Sequence, residues 1–468
     1  MGARGLVGLP SGFEVQIRED VRVVSDGRVL IGGSPVRVAR LSEPGAALIH
    51  EGRVTVIDES SRRLADRLLD GNLAFPPAQG EAVLASELTV VIPIKDRAEQ
   101  LERLLSGLRP VIDCVVVDDA STDAAAIADV ASRHGVRLVR HQRNTGPAAA
   151  RNTGLASVTT PYVAFVDSDV ETDPGTLIGL AGHFADPKVV AVAPRVRGIA
   201  PRARPRWFQR YDATSMSLDL GDQPALVRPG SSVSWLPSAC LVVRRDSVGE
   251  GFDESLRVAE DVDFVWRLVA AGGRVRYDSA FEVRHDSRGT LGAWLGRKAY
   301  YGTGGALLAQ RHGDLVAPAV LSPVLAVASA ALLAQRRWSA PVVLVCTLLT
   351  AARIRRALPM EAGGAEEAGR LATRGLLSGV SQTAQLILRH WWPATACVVP
   401  FSARARRALV AAVVVDVVLT PRPPASSALG FHLARRLDDL AYGAGLWLGA
   451  LRARSVRCLV PRGVPRST

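Results

Sequence analysis

The chain has 468 residues, a formal net charge of +12 and a hydrophobic content of 48%. That length predicts roughly three domains, and the apolar content is ample for sizeable cores. The basic excess lies from Leu315 onward, where arginines far outnumber acids and lysine is absent, so charge gives no reason to expect nucleic-acid binding.

Only Lys95, Lys188 and Lys298 are lysines among the 57 basic residues. With so much Ala, Gly and Val, this points to GC-rich coding, and a single arginine is weak functional evidence. Cys114, Cys240, Cys346, Cys397 and Cys458 are odd in number and far apart. They argue against a disulfide framework and a structural zinc site, and they fit a reducing compartment. The opening residues lack an apolar run, so no secretory signal is expected.

Residues 1–84 read as a small α+β module. Phe13, Val15 and Ile17 alternate with polar residues as a strand does. Val21–Val24 and Val29–Ile31 flank Ser25-Asp26-Gly27-Arg28, a hairpin signal. Val36, Val38 and Leu41 continue the alternation, and Ser42 before Pro44 predicts a helix start. A second helix is expected after Ser60 or Ser61, with Leu64, Leu68 and Leu69 on one face and Gly71 as its stop. Pro76 to Gly80 reads as a linker. The order resembles small winged-helix-like domains that recognise leader peptides, and it leaves an ordinary packing domain as the other reading.

Residues 85–312 alternate strands and helices, which predicts crossover units and a doubly wound α/β sheet. Leu88–Ile94 ends in Lys95-Asp96-Arg97. Val111–Val117 ends in Asp118-Asp119-Ala120-Ser121-Thr122-Asp123. A helix over Ala124–His134 leads to the strand Arg137–Arg140. Asn144-Thr145-Gly146-Pro147 then opens a helix carrying Arg151 and Asn152. Tyr162–Val166 ends in Asp167-Ser168-Asp169. The acids gather at strand ends, where open sheets bind ligands. A P-loop and a dinucleotide fingerprint are both missing. Further on, Val233–Val243 reads as a strand broken at Pro237, and Glu260-Asp261 opens a helix with Val262, Val265, Leu268 and Val269 on its apolar face. Standing alone, those acids suit a helix dipole. His285 follows the strand Phe281–Arg284.

Val91-Ile92-Pro93, Val117 to Asp123, Asn144 to Asn152 and Asp167-Ser168-Asp169, in that order, resemble the motifs of family-2, GT-A glycosyltransferases. The resemblance implies an α/β GT-A domain that uses a UDP-sugar donor and a divalent cation, Mn²⁺ or Mg²⁺. It implies that Pro93, Asp96 and Asp119 line the nucleoside pocket, with Asp119 accepting from the uracil. Arg151 would lie near the diphosphate. Asp167 and Asp169 would hold the donor through the cation, with His285 as a further metal ligand. Glu260-Asp261 would be the catalytic pair and Asp261 the general base, in an inverting displacement. Taken with the amino-terminal module, the stretch Ser217 to Gly230 and the apolar tail, the layout is most similar to mycofactocin-system glycosyltransferases. Those enzymes attach β-linked glucose to a peptide-derived redox cofactor, and the module would then bind a peptide. A cell-envelope transferase acting on a lipid or polysaccharide, and a non-catalytic peptide-binding scaffold, remain the alternatives.

Residues 313–468 read as an apolar helical region. Leu315–Ala334 is long enough to span a bilayer, although it contains Pro318 and Pro323, whereas Ser339–Ala352 is short. Arginines flank the apolar runs, which predicts association with an anionic membrane at the cytoplasmic face of the cell. A soluble helical bundle is the competing reading.

Overall fold

The structure is a computed structural model that describes residues 8–77, 83–200, 204–358, 364–420 and 427–463. Residues 78–80 of the expected linker and most of the opening stretch lie outside these. Two compact units emerge: Met1–Pro201 with Asp212–Ser287, and Arg202–Tyr211 with Arg288–Thr468.

The first unit begins with β1 (Glu14–Ile17), β2 (Arg22–Val24), β3 (Val29–Gly32), β4 (Arg37–Arg40), α1 (Glu43–Ala46), β5 (Arg53–Thr55), α2 (Glu59–Asp70) and β6 (Ala74–Phe75). These make two small sheets of order β5-β1-β6 and β2-β3-β4. Ser25, Asp26 and Gly27 all take positive φ, so the hairpin turns where expected. The second helix starts earlier than expected, because Asp58 caps it and accepts from Ser61 N at 2.8 Å. α1 has 4 residues and holds Pro44 and Gly45. Helical packing therefore rests on α2, and the module carries more sheet than a winged helix would. Its core is Leu9, Phe13, Val15, Val54, Leu64 and Leu68 with their neighbours.

The large sheet follows, with β7 (Leu88–Ile94), α3 (Ala98–Leu108), β8 (Asp113–Asp118), α4 (Ala124–Arg133), β9 (Arg137–Arg140), α5 (Pro147–Ala156), β10 (Tyr162–Val166), β11 (Val170–Glu171), α6 (Pro174–Ala181) and β12 (Val189–Ile199). α7 (Trp207–Thr214), β13 (Ala225–Leu226), β14 (Cys240–Arg244), α8 (Glu260–Ala270) and β15 (Arg274–Asp286) come next. The strand order is β11-β15-β12-β14-β10-β7-β8-β9, with β13 on β15. β10, β7, β8 and β9 run parallel, as the crossovers require, whereas β14 is antiparallel to both β10 and β12. The sheet is the α/β GT-A arrangement, mixed at one side. Its strands are apolar on both faces, which suits a sheet covered by helices. Val233–Ser238 is not a strand. Pro237 has no N–H for a ladder, and Ser231 Oγ instead ties the turn by donating to Arg228 O and Val233 O.

The amino-terminal sheets dock on this sheet through charge. Arg274 is buried and donates to Asp66 Oδ1 at 2.8 Å, Asp70 Oδ1 at 3.0 Å and Asp186 Oδ2 at 2.9 Å. Asn72 Oδ1 accepts from Leu226 N at 3.0 Å, and Ser34 Oγ accepts from Ser232 N at 2.6 Å.

The second unit is helical: α9 (Leu291–His312), β16 (Val320–Leu321), α10 (Pro323–Ala334), α11 (Ser339–Ala357), α12 (Gly364–Gln385), α13 (Trp392–Val398), α14 (Ala403–Leu419), α15 (Ala428–Arg452) and β17 (Arg462–Gly463). The run Leu315–Ala334 does not form one spanning helix. Pro318 precedes a short strand and Pro323 starts a 12-residue helix capped by Ser322. Among the described residues no helix is long and apolar enough to cross a membrane. Asp416, within α14, is buried against Arg435 and Arg436 at 2.9 Å and 2.7 Å.

Candidate active site

Parallel pairing of β7 with β8 and β10 brings three chain segments to one sheet edge. Pro93 sits in β7 opposite Val117, and Asp96 follows with φ 56°. Asp96 is tied to the next strand end: its N–H donates to Ser121 Oγ at 2.9 Å, and its Oδ1 accepts from Thr122 N at 2.5 Å. Asp118 is fully buried and accepts from Ser121 N and from Arg140 Nη1.

Asp119 works inward. Its Oδ1 accepts from Thr145 N at 2.8 Å and Thr145 Oγ1 at 2.9 Å and lies 2.9 Å from His141 Nδ1, while Oδ2 accepts from Gly146 N at 2.7 Å. Burial opposes ionisation, but the Thr145, His141 and Gly146 donors win and hold its carboxyl below the usual carboxylate range. Its evident role is to hold the turn that opens α5, and a uracil contact would have to use what is left of Oδ2.

Arg151, on α5, is buried at 3% exposure. It donates from Nη2 to Asp167 Oδ1 at 2.7 Å and from Nη1 to Glu260 Oε1 at 2.9 Å. Burial disfavours its charge, yet Asp167 and Glu260 outweigh that and keep it protonated. Its guanidinium lies 5.4 Å from the centroid of Phe252, whose ring meets Phe165 of β10 edge-on and stacks on Phe264 of α8. Arg151 thus joins α5, β10 and α8 and positions the carboxylates of Asp167 and Glu260.

Ala259 takes φ 64°, a strained value for a residue with a Cβ, and this turns Glu260 and Asp261 into the site at the start of α8. Asp261 receives the N–H of Val262 at 2.8 Å and that of Ser238 at 3.4 Å. Burial first, then the charge of Glu260, pushes its carboxyl up to about 7, against Arg151 and those two N–H groups. Asp263, in the same turn, is occupied by Arg267 at 2.9 Å.

β11 pairs with β15, so His285 lies opposite Val170 and beside Asp169. His285 Nδ1 is 3.0 Å from Asp286 O, which can only accept, so Nδ1 carries the proton and Nε2 presents a lone pair in the neutral ring. That Nε2 is 3.4 Å from Asp169 Oδ1. Two lone-pair atoms so placed suit a cation, and a histidine bound through one nitrogen with the other on a carbonyl is the usual ligand arrangement. Asp169 Oδ2 meanwhile receives Arg97 Nη1. Among the described residues no group of three or more His, Cys, Asp or Glu side chains is gathered for a metal. Asp167 is joined to Arg151 instead. A carboxylate–imidazole pair fits a cation whose other ligands are substrate phosphates and water.

The structure thus brings together Asp167, Asp169, Arg151, Glu260, Asp261 and His285, and it sets Pro93, Asp96 and Asp119 along the adjoining strand ends. Arg97 and the N–H of Ser238 escaped the sequence reading. Arg97 adjoins a strand-end acid, which was a usable signal, whereas a backbone donor leaves none.

The model of Glycosyl transferase family 2 matches residues 89–252, and the chain belongs to that family of enzymes. The likeness extends over the whole chain to the pre-mycofactocin glycosyltransferase of Mycobacterium tuberculosis, 42% identical over 467 residues, 97% of this chain and 98% of that one. An uncharacterised glycosyltransferase of the same organism is 31% identical over 188 residues, 40% of this chain and 81% of that one. Among solved structures, the mannosyltransferase PcManGT of Pyrobaculum calidifontis, in complex with GDP-Man and Mn²⁺, is 19% identical with a TM-score of 0.38, covering 72% of this chain and 88% of that one.

Proposed function

We propose that this enzyme transfers a sugar, glucose, from a UDP-sugar to a hydroxyl of a mycofactocin-type, peptide-derived acceptor, with inversion. The observation that carries the reading is the Glu260–Asp261 pair at the head of α8, with Glu260 held by Arg151 and Asp261 receiving the N–H groups of Val262 and Ser238. Burial and Glu260 push the Asp261 carboxyl up to about 7. A base poised near the working pH exists in both forms there and can take a proton efficiently. The full-length likeness to a pre-mycofactocin glycosyltransferase supports the acceptor class.

In this mechanism Asp261 takes the proton of the acceptor hydroxyl as the oxygen attacks the anomeric carbon. Glu260, held by Arg151, keeps negative charge beside Asp261 and so raises its basicity. The single displacement turns an α-linked donor into a β-glycoside. Asp169 and His285 would hold a divalent cation, which supplies positive charge where the departing diphosphate gains negative charge. Pro93, Asp96 and Asp119 border the nucleoside, and Ser238 N–H orients the base.

Incubating the full-length protein with labelled UDP-sugars and pre-mycofactocin tests the reading. Mass spectrometry should show a single-hexose mass increase from UDP-glucose, and NMR of the product a β linkage. Label appearing only in envelope lipid or polysaccharide from a cell extract would replace the acceptor assignment.

A further inference from the structure

The second unit carries apolar side chains on its outside in an ordered way. Along α11, Leu344, Val345, Leu348 and Leu349 are exposed, and the buried members of that helix are Ser339 and Cys346. The stripe runs on into Arg353, Arg355 and Arg356. Along α14 the order is reversed. Arg404, Arg406 and Arg407 open the helix, and Val410, Val414 and Val418 then follow on one exposed face, Val418 at 72%. The opposite face of α14, with Ala412 and Leu409, packs on Ala384 at the end of α12 and on Ile387 just beyond it. These helices therefore spend one face on the bundle and leave the other bare.

Gln335, just after α10, joins two basic stretches. Its Nε2 donates to Arg404 O at 2.8 Å, and its Oε1 accepts from Arg407 Nε at 2.8 Å. Arg336-Arg337-Trp338 is thereby set beside Arg404–Arg407. Arg406 Nη1 donates to Val399 O and Pro400 O, which fixes the turn that presents Phe401. Phe401 is 90% exposed and Trp338 48%. Among the described residues, none of Arg336, Arg337, Arg404, Arg406 or Arg407 forms an ion pair with a carboxylate.

Unpaired arginines around a bare aromatic ring and an apolar face match one kind of surface. Anionic headgroups pair with the guanidinium groups, and the acyl boundary takes the rings and aliphatic chains. We propose that the second unit docks on an anionic lipid surface through the Arg336–Trp338 and Phe401–Arg407 patch, lying in the interface without crossing the bilayer. A second copy of the chain is the poorer occupant, because two such patches would bring their arginines together. The inference is independent of the sugar-transfer reading.

The full-length protein should co-sediment with vesicles of phosphatidylcholine mixed with phosphatidylglycerol, and do so at least about tenfold more strongly than with phosphatidylcholine alone. Each of Arg404→Gln and Arg407→Gln should weaken anionic binding about fivefold, and Phe401→Ser should weaken it on top of either. Phe401 touches little of the fold, so its variant keeps the wild-type melting curve. Equal binding to both vesicle types, or none, overturns the proposal. So does a concentration-dependent dimer in light scattering that Phe401→Ser dissolves, since the patch would then be covered by a second copy.

Discussion

The Nη1 of Arg151 donates to Oε1 of Glu260 at 2.9 Å, with both side chains buried. The bond ties α5 to α8, and the other arm of the same guanidinium reaches Asp167. Removing the cation strands two carboxylates. Arg151→Ala should therefore destabilise the protein by about 3–5 kcal/mol in denaturant unfolding, the cost of breaking a buried pair from one side. Arg151→Lys cannot serve both acids with a planar fork. It should fold and yet move the pH profile of turnover upward, because Arg151 is one of the groups that restrain the Asp261 carboxyl.

The Asp261 carboxyl, pushed up to about 7, sets two opposite pH dependences. Turnover should rise with pH through an inflection near that value, since only the ionised form accepts a proton. Stability should fall over the same direction. Between the ordinary value of 3.8 and about 7 the folded chain holds a proton that the unfolded chain has released. Asp261→Asn should lower kcat by about a hundredfold or more while leaving UDP affinity unchanged, and it should melt higher than wild type at pH 8. Near-normal transfer by the variant would reduce Asp261 to a helix-start acid.

Asp169 meets both Arg97 and His285, so a cation has to displace a guanidinium to reach it. Calorimetry should show that Asp169→Asn loses most of the Mn²⁺- or Mg²⁺-dependent affinity for UDP with folding intact. Arg97→Gln should bind the cation alone more tightly than wild type does, because the competing charge is gone. If Arg97→Gln binds it no better, the pair with Asp169 is not what limits cation entry.

Gly146 has φ 96°, and a Cβ there would come 2.6 Å from Arg257 Nη1. Its N–H also serves Asp119. Gly146→Ala should misplace the start of α5 and with it Arg151, so kcat should drop together with stability. The thermal melt and steady-state kinetics measure both.

The strands of the catalytic sheet were readable because each is a short apolar run that stops at an acid, as at Val166–Asp167 and Val117–Asp118. The acids at those ends were readable for the same reason. What they bond to was not. Asp119 is spent on Thr145 and Gly146, and Arg97 closes on Asp169, through distances that only the folded crossovers set. Val233–Ser238 had the composition of a strand but lacks the N–H at Pro237. Leu315–Ala334 had the hydropathy of a span, and its two prolines decided otherwise. The partner of His285 rests on the β11–β15 pairing, which no local pattern announces.

The guanidinium of Arg274 is shared among Asp66, Asp70 and Asp186. Asp186 is itself fully buried and also receives Arg276. Pulling the amino-terminal sheets away would take two of the three carboxylates from buried Arg274 and leave it only Asp186, which Arg276 already shares, a state costlier than ordinary fraying. The small sheets and the large one are therefore a single cooperative object. Heating should melt them in one transition, and amide protons in β1 and β10 should exchange only through that same global event.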